Sequence, residues 1–182
     1  MASPPSVEPL SMTSILFVCH GNICRSPMAE FIFRDLCRQA GLEDRFRVAS
    51  MAVSTEEIGN DIYPPAKETL RRHGIPFDRH CARRIDRASF DRYDLIVCAD
   101  RSNIRAIERL FGPLPVPASY VPAPISAPHA PAPLPKLSLM MHWAGEDRDV
   151  SDPWYTRDFD SAFRDIYASC QGLLAHLSHP EN

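Results

Sequence analysis

Four short apolar runs, each followed by a segment of helical character, constrain this chain more than any other feature. Ser14 to Cys19 (SILFVC) is rich in apolar residues, too short for a helix, and reads as a buried strand. Ser26-Pro27 then opens a helix, since Ser caps well and Pro fits the first helical position. Met28, Phe31, Ile32 and Leu36 recur at helical spacing until Gly41 ends it. Phe46 to Ala49 is a second strand, and Pro64-Pro65 starts a helix that Gly74 closes. Asp94 to Ala99 (DLIVCA) is a third strand, ahead of a helix from about Arg101 to Phe111. Leu137 to Met141 is a fourth strand. In the last helix Phe159, Phe163, Ile166, Tyr167, Cys170, Leu173, Leu174 and Leu177 form one apolar stripe. Strands alternating with helices predict an α/β fold of right-handed βαβ units, a parallel sheet covered on both faces. Ligands of such sheets bind at the carboxyl ends of the strands, near the switch in strand order, and Cys19 lies at such an end.

The chain's 182 residues suit one domain with a sizeable core, and two full domains would be a tight fit. A net charge of -3 argues against a general nucleic-acid binder. No run approaches the roughly 20 apolar residues of a membrane span. Residues 1–13 lack the basic start and apolar stretch of a signal peptide and read as a disordered tail, with the domain over 14–180. The six cysteines lie mostly in apolar or amphipathic runs, which points to free thiols in a reducing cytoplasm. A structural zinc site lacks a second close Cys or His pair. Residues 113 to 135 hold nine prolines, too many for a helix or a central strand. They read as a surface insertion between a helix and a strand, with a proline-recognition domain as an alternative partner.

The segment VCHGNICRSP joins the first strand to the first helix. A strand–loop–helix unit aims backbone N–H groups at the start of the helix, where donors and helix dipole together favour an anion. Gly21 gives that loop latitude and Asn22 tolerates left-handed backbone. Arg25 brings a planar fork matched to two phosphate oxygens. The field that holds a phosphate also favours a thiolate, so Cys19 is placed to attack phosphorus. By itself, a strand-end Cys is usually a small hydrophobe and an Arg at a helix start usually faces water. The strand before, the Gly-Asn within and the Ser-Pro after favour the chemical reading. An acid is then needed for the departing oxygen, and Asp152 in SDPWY offers one, on a loop before the last helix. Trp154 and Tyr155 beside it suit the wall of a binding site.

Together, VCHGNICRSPMAE and DPWY resemble the low-molecular-weight protein tyrosine phosphatases, of bacterial type. STEEIGNDIYPPA, HGIPFDRHCARR and YDLIVCADRSN match as well, so the resemblance runs from about Ser14 to Leu177 around the proline-rich segment. It implies a single domain with a four-stranded parallel sheet and helices on both faces, no metal or other cofactor, and a two-step reaction through phosphocysteine. It implies Cys19 as nucleophile, Arg25 as phosphate clamp and Asp152 as acid and then base. His20, Gly21, Asn22, Ile23, Cys24 and Ser26 would form the substrate cradle, with Ser26 bonding the leaving thiolate. Asn22 would hold the loop's shape, supported by Ser50 and His80. Trp154 and Tyr155 would stack on the substrate ring, in a cleft deep enough to favour phosphotyrosine over phosphoserine. The partner would be a phosphotyrosine-containing protein. Cys24 would trap an oxidised Cys19 as a disulfide before irreversible damage.

Two features depart from the family pattern. Thr55-Glu56-Glu57 stands where many members place an aromatic, and its charge should repel acidic peptides. The proline-rich segment exceeds the short connection expected there. Three alternatives are weaker. An arsenate reductase of this fold needs a cysteine relay, but Ala99 to Gly112 contain no cysteine. A phosphoarginine phosphatase would carry Thr at the position of Ile23. A non-catalytic phosphate-binding module would have lost Cys19, Arg25 or Asp152.

Overall fold

The computed structural model describes residues 12–112 and 135–178. Its strands are β1 (Thr13–Cys19), β2 (Phe46–Ala52), β3 (Leu95–Cys98) and β4 (Leu137–Leu139). They form one parallel sheet in the order β2-β1-β3-β4. The chain therefore steps from β1 to one side for β2 and returns to the other side for β3. That reversal opens a crevice beside the carboxyl end of β1. Cys19 pairs in register with Ala52, and Val18 with Cys98, so the strand ends that carry the loops lie together.

Between the strands run α1 (Arg25–Ala40), α2 (Pro64–Arg72), α3 (Arg87–Arg92) and α4 (Arg101–Phe111). A one-turn helix, α5 (Pro153–Thr156), and the long α6 (Phe159–Ser178) follow β4. The strand pleat splits β1 between two apolar layers. Ile15 and Phe17 enter the layer of Met28, Ile32 and Phe33 from α1 and Phe163, Ile166 and Cys170 from α6. Leu16 and Val18 enter the other, with Phe90 of α3 and Ile107 of α4. Because β1 is central, both sets are fully buried, which is why its sequence reads as a continuous apolar run rather than an alternation. Gly41 ends α1 in left-handed geometry, φ +66°, with its N–H on the Arg38 carbonyl.

Several boundaries differ from the sequence reading. β1 begins at Thr13, and β2 continues past Ala49 to Ala52, because Ser50 is buried with its hydroxyl satisfied by side chains. β3 is trimmed to Leu95–Cys98. The fourth strand stops at Leu139, and Met140–Ala144 form a 3₁₀ turn. α3 was not anticipated: it buries only Phe90, so it has no periodic stripe, and its one signal is the Asp86 cap on the Ser89 N–H at 2.7 Å. Residues 1–11 of the expected tail and 113–134 of the proline-rich segment lie outside the described residues. All six cysteines are free thiols. Among the described residues no helix is long and apolar enough to cross a membrane. Among the same residues no group of three or more His, Cys, Asp or Glu could hold a metal ion.

Candidate active site

The loop from Cys19 to Ser26 wraps around the Cys19 sulfur. Asn22 adopts φ +59°, a conformation that costs a residue with a Cβ about 1–2 kcal/mol. Its polar atoms hold it there. The Asn22 carbonyl meets His80 Nε2 at 2.8 Å, and its Oδ1 accepts from the Arg83 N–H at 3.2 Å. That second bond orients the amide, so Nδ2 points to Ser26 Oγ and Ser50 Oγ, each at 2.9 Å. Nδ2 can only donate, so both hydroxyls accept from it and turn their protons outward. Ser50 gives its proton to Glu30 Oε2 at 2.6 Å, and Glu30 pairs with Arg34. Ser26 Oγ lies 3.0 Å from the Cys19 sulfur and donates to it whenever the sulfur is a thiolate, and the Asn22 N–H donates to the sulfur at 3.3 Å. Two donors on one sulfur stabilise it as an anion and as a leaving group.

Arg25 is buried behind the loop at 3 % exposure, with carboxylates at both ends of its guanidinium. Nη1 donates to Asp100 Oδ2 at 2.7 Å and to the Val150 carbonyl at 3.0 Å, and Nη2 to Asp152 Oδ2 at 2.7 Å. Burial works against the Arg25 charge, but Cys19, Asp152 and Asp100 outweigh it and raise its pKa above the ordinary value. Burial likewise works against an ionised Asp100, yet Arg25, then Ser102 and the Asn103 N–H, hold its carboxyl below the usual carboxylate range. Asp152 caps α5: its Oδ1 accepts from the Trp154 N–H at 3.0 Å, and Pro153 takes the first helical position. Above Cys19 opens a cleft of about 120 Å³. His20, Gly21, Ile23 and Cys24 line it with Cys19 and Arg25, together with Asp152, Trp154 and Tyr155 and with Glu56 and Glu57. Trp154 leans on Tyr63 with ring centroids 5.1 Å apart, and Tyr155 stands 82 % exposed at the mouth.

The low molecular weight phosphotyrosine protein phosphatase family model matches residues 14–115. A low molecular weight protein-tyrosine-phosphatase of Bacillus subtilis, YfkJ, is 36 % identical over 168 residues, covering 91 % of this chain and 96 % of its own length. The chain belongs to the low molecular weight phosphotyrosine protein phosphatases. The human phosphatase of that name is 36 % identical over 157 residues, 86 % of this chain and 88 % of its own. The crystal structure of YfkJ superimposes with a TM-score of 0.76 at 35 % identity, covering 91 % of this chain and 94 % of that one. That of a Drosophila arginine phosphatase does so with 0.73 at 28 % identity, over 92 % and 99 %.

In this phosphatase Cys19, Arg25 and Asp152 line the cleft with most of the other residues singled out in the sequence, while Asn22 and Ser26 are fully buried within the loop itself. Ser50 and His80 stand behind it, both on Asn22. One local reading is corrected. Ser26 does not cap α1: the helix starts at Arg25 with Cys24 at the cap position and no side-chain cap bond, because the Ser26 hydroxyl is taken by Cys19 and Asn22. Asp152 is likewise a helix cap rather than a plain loop residue. Cys24 is 5 % exposed, and burial, then the Cys19 sulfur, push its thiol up, so it stays protonated at neutral pH. The sequence reading missed Asp100, Glu30, Tyr63 and the Arg83 N–H. Asp100 had a legible signal. It directly follows the third strand, and with Asn103 three residues on it forms a capping box, so it had to sit at the carboxyl edge next to Cys19. Glu30 and Tyr63 had none, since their partners come from distant chain segments.

Proposed function

We propose that this phosphatase hydrolyses phosphotyrosine in proteins, and small aryl phosphates, through a phosphocysteine on Cys19. The phosphoryl oxygens sit among the loop N–H groups and the Arg25 fork, which gives up Asp152 to receive them. The Cys19 thiolate attacks phosphorus in line while the P–O bond to the phenol breaks, and Asp152 delivers its proton to the departing oxygen. The S–P bond is then hydrolysed: Asp152 takes a proton from water as its oxygen attacks phosphorus, and the sulfur leaves as thiolate onto the Ser26 and Asn22 donors. Trp154 and Tyr155 hold the substrate ring, and no cofactor takes part. The free thiols fit a reducing, cytoplasmic setting.

The observation that carries this reading is the placement of Cys19, Arg25 and Asp152 around one cleft, with two hydrogen-bond donors on the sulfur. Turnover of p-nitrophenyl phosphate by wild type, Cys19→Ser and Asp152→Ala tests it. Wild type should turn over, Cys19→Ser should lose all activity, and Asp152→Ala should fall by about 10²–10⁴-fold. A reduced wild type without turnover would overturn the proposal. Phosphoarginine assayed alongside separates the activity named for the Drosophila neighbour, and Ile23 in the cleft wall favours the aryl substrate.

A further inference from the structure

The segment that carries Asp152 is fastened to the start of α4, and one side chain makes most of that fastening. Residues 147–149 read Asp-Arg-Asp. The chain bends at Arg148, so that residue and its two neighbours find different partners. Asp147 and Asp149 meet Arg101, while Arg148 turns to Asp165 of α6, with both guanidinium ends on its carboxylate at 2.7 and 2.8 Å. Arg101 donates Nη1 to Asp149 Oδ1 at 2.9 Å, its backbone N–H to the same oxygen at 3.2 Å, and Nη2 to Asp147 Oδ1 at 2.6 Å. Asp147 also meets the buried His142 at 2.9 Å. One residue beyond Asp149, the buried Val150 gives its N–H to the Ala99 carbonyl at 2.9 Å and accepts Arg25 Nη1 at 3.0 Å. Two residues further comes Asp152.

Ala99, Asp100 and Arg101 are consecutive. Ala99 holds Val150, Asp100 holds Arg25, and Arg101 holds Asp147 and Asp149. The junction of β3 and α4 thus sets where both the phosphate clamp and the acid stand. Resting on the reading of Asp152 as the acid, we propose that Arg101 is a positioning residue for it, holding the 147–152 segment so that the Asp152 carboxyl meets the leaving oxygen. The pairs it makes are part-exposed, so each is individually weak and screened by salt. Their effect is registered in the placement of Asp152, where displacements of an ångström matter.

The test compares kcat/KM for phenyl phosphate, whose poor leaving group needs the acid, with that for 2,4-dinitrophenyl phosphate, whose good one does not. Arg101→Ala should lower the first about tenfold and the second less than twofold. Arg101→Lys, which reaches one carboxylate but not both, should recover part of the loss. High salt should move wild type in the same direction. In an Asp152→Ala background, Arg101→Ala should leave the ratio of the two substrates unchanged, as expected if both act on one step. Asp149→Asn, a milder change in the same clamp, should shift the ratio less than Arg101→Ala. Equal loss on both substrates in Arg101→Ala and Asp149→Asn, or no loss on either, would overturn the proposal. A wild type inactive on both would instead remove the phosphatase reading on which it stands.

Discussion

Asp100 and Glu56 act on the reaction from outside the group that reacts. Asp100 faces a buried guanidinium whose other carboxylate among the described residues, Asp152, is expected to let go of it during turnover. Asp100→Asn keeps the helix cap but removes that charge. It should cost about 2–3 kcal/mol, less than the 3–5 of a fully broken buried pair because Asp152 still faces Arg25. Since the folded-state pKa of Asp100 lies below its unfolded value of about 3.9, its stabilisation is present above that value and is lost as pH falls through the folded one. Denaturant melts from pH 7 down to 3 should show the acid-side loss of stability shallower in Asp100→Asn than in wild type. In the cleft lining Glu56 pairs with His20 at 2.9 Å, while Glu57 is held by Asn60 at 2.7 Å and lies against Gly21. Two carboxylates beside an anion cradle disfavour acidic peptides. Glu56→Gln should raise kcat/KM for an acid-flanked phosphotyrosine peptide several-fold over a base-flanked one, on the order of 1 kcal/mol at low salt. An unchanged ratio between the two peptides would remove the electrostatic account.

Elements meet closely where α6 crosses the 3₁₀ turn Met140–Ala144. Trp143 donates Nε1 to Ser138 Oγ at 2.9 Å, which pins this turn to β4. Gly172 of α6 lies against it, and a Cβ there would overlap the Trp143 carbonyl oxygen, a backbone atom that cannot swing away. Helix propensity alone would make Gly172→Ala stabilising by up to about 1 kcal/mol. The overlap decides the sign. We expect a net loss of about 2–3 kcal/mol, read in calorimetry as a Tm lower by roughly 4–12 °C. A Tm at or above wild type would show that the helix shifts freely. The same apposition explains why a small residue, Gly172, stands directly before Leu173 and Leu174 of the apolar stripe. Its counterpart in the other layer is α3, a helix sustained by one buried Phe90 and one Asp86 cap rather than by a stripe.

For the whole molecule, the cradle links binding to stability. A ligand that binds only the folded state at 100 times its Kd adds about 2.7 kcal/mol, some 5–10 °C in Tm for a chain of this size. Saturating inorganic phosphate should raise the Tm of wild type by that amount. Arg25→Lys keeps a charge but loses the fork, and should give a much smaller shift. An equal shift in both would place the phosphate elsewhere.

Much of this is legible in the sequence, for identifiable reasons. The runs SILFVC and DLIVCA, the Gly41 stop and the stripe of α6 are local patterns, and burial on both faces leaves a central strand no other composition. The Cys19–Ser26 loop was equally legible, because a nucleophile, a fork and a helix start must follow one another in the chain to surround one anion. What neighbours in space but not in sequence do was decided only by the tertiary structure. Asp100 on Arg25, Glu30 on Ser50, Tyr63 on Trp154 and Arg101 on the Asp152 segment each join residues brought together by strand order. Ser26 stands between the two: its local pattern signals a helix cap, the family resemblance gave it the Cys19 sulfur, and its hydroxyl lies on that sulfur and on the Asn22 amide. A hydrogen bond goes to the partner within reach, and which partner that is depends on the fold of the whole chain.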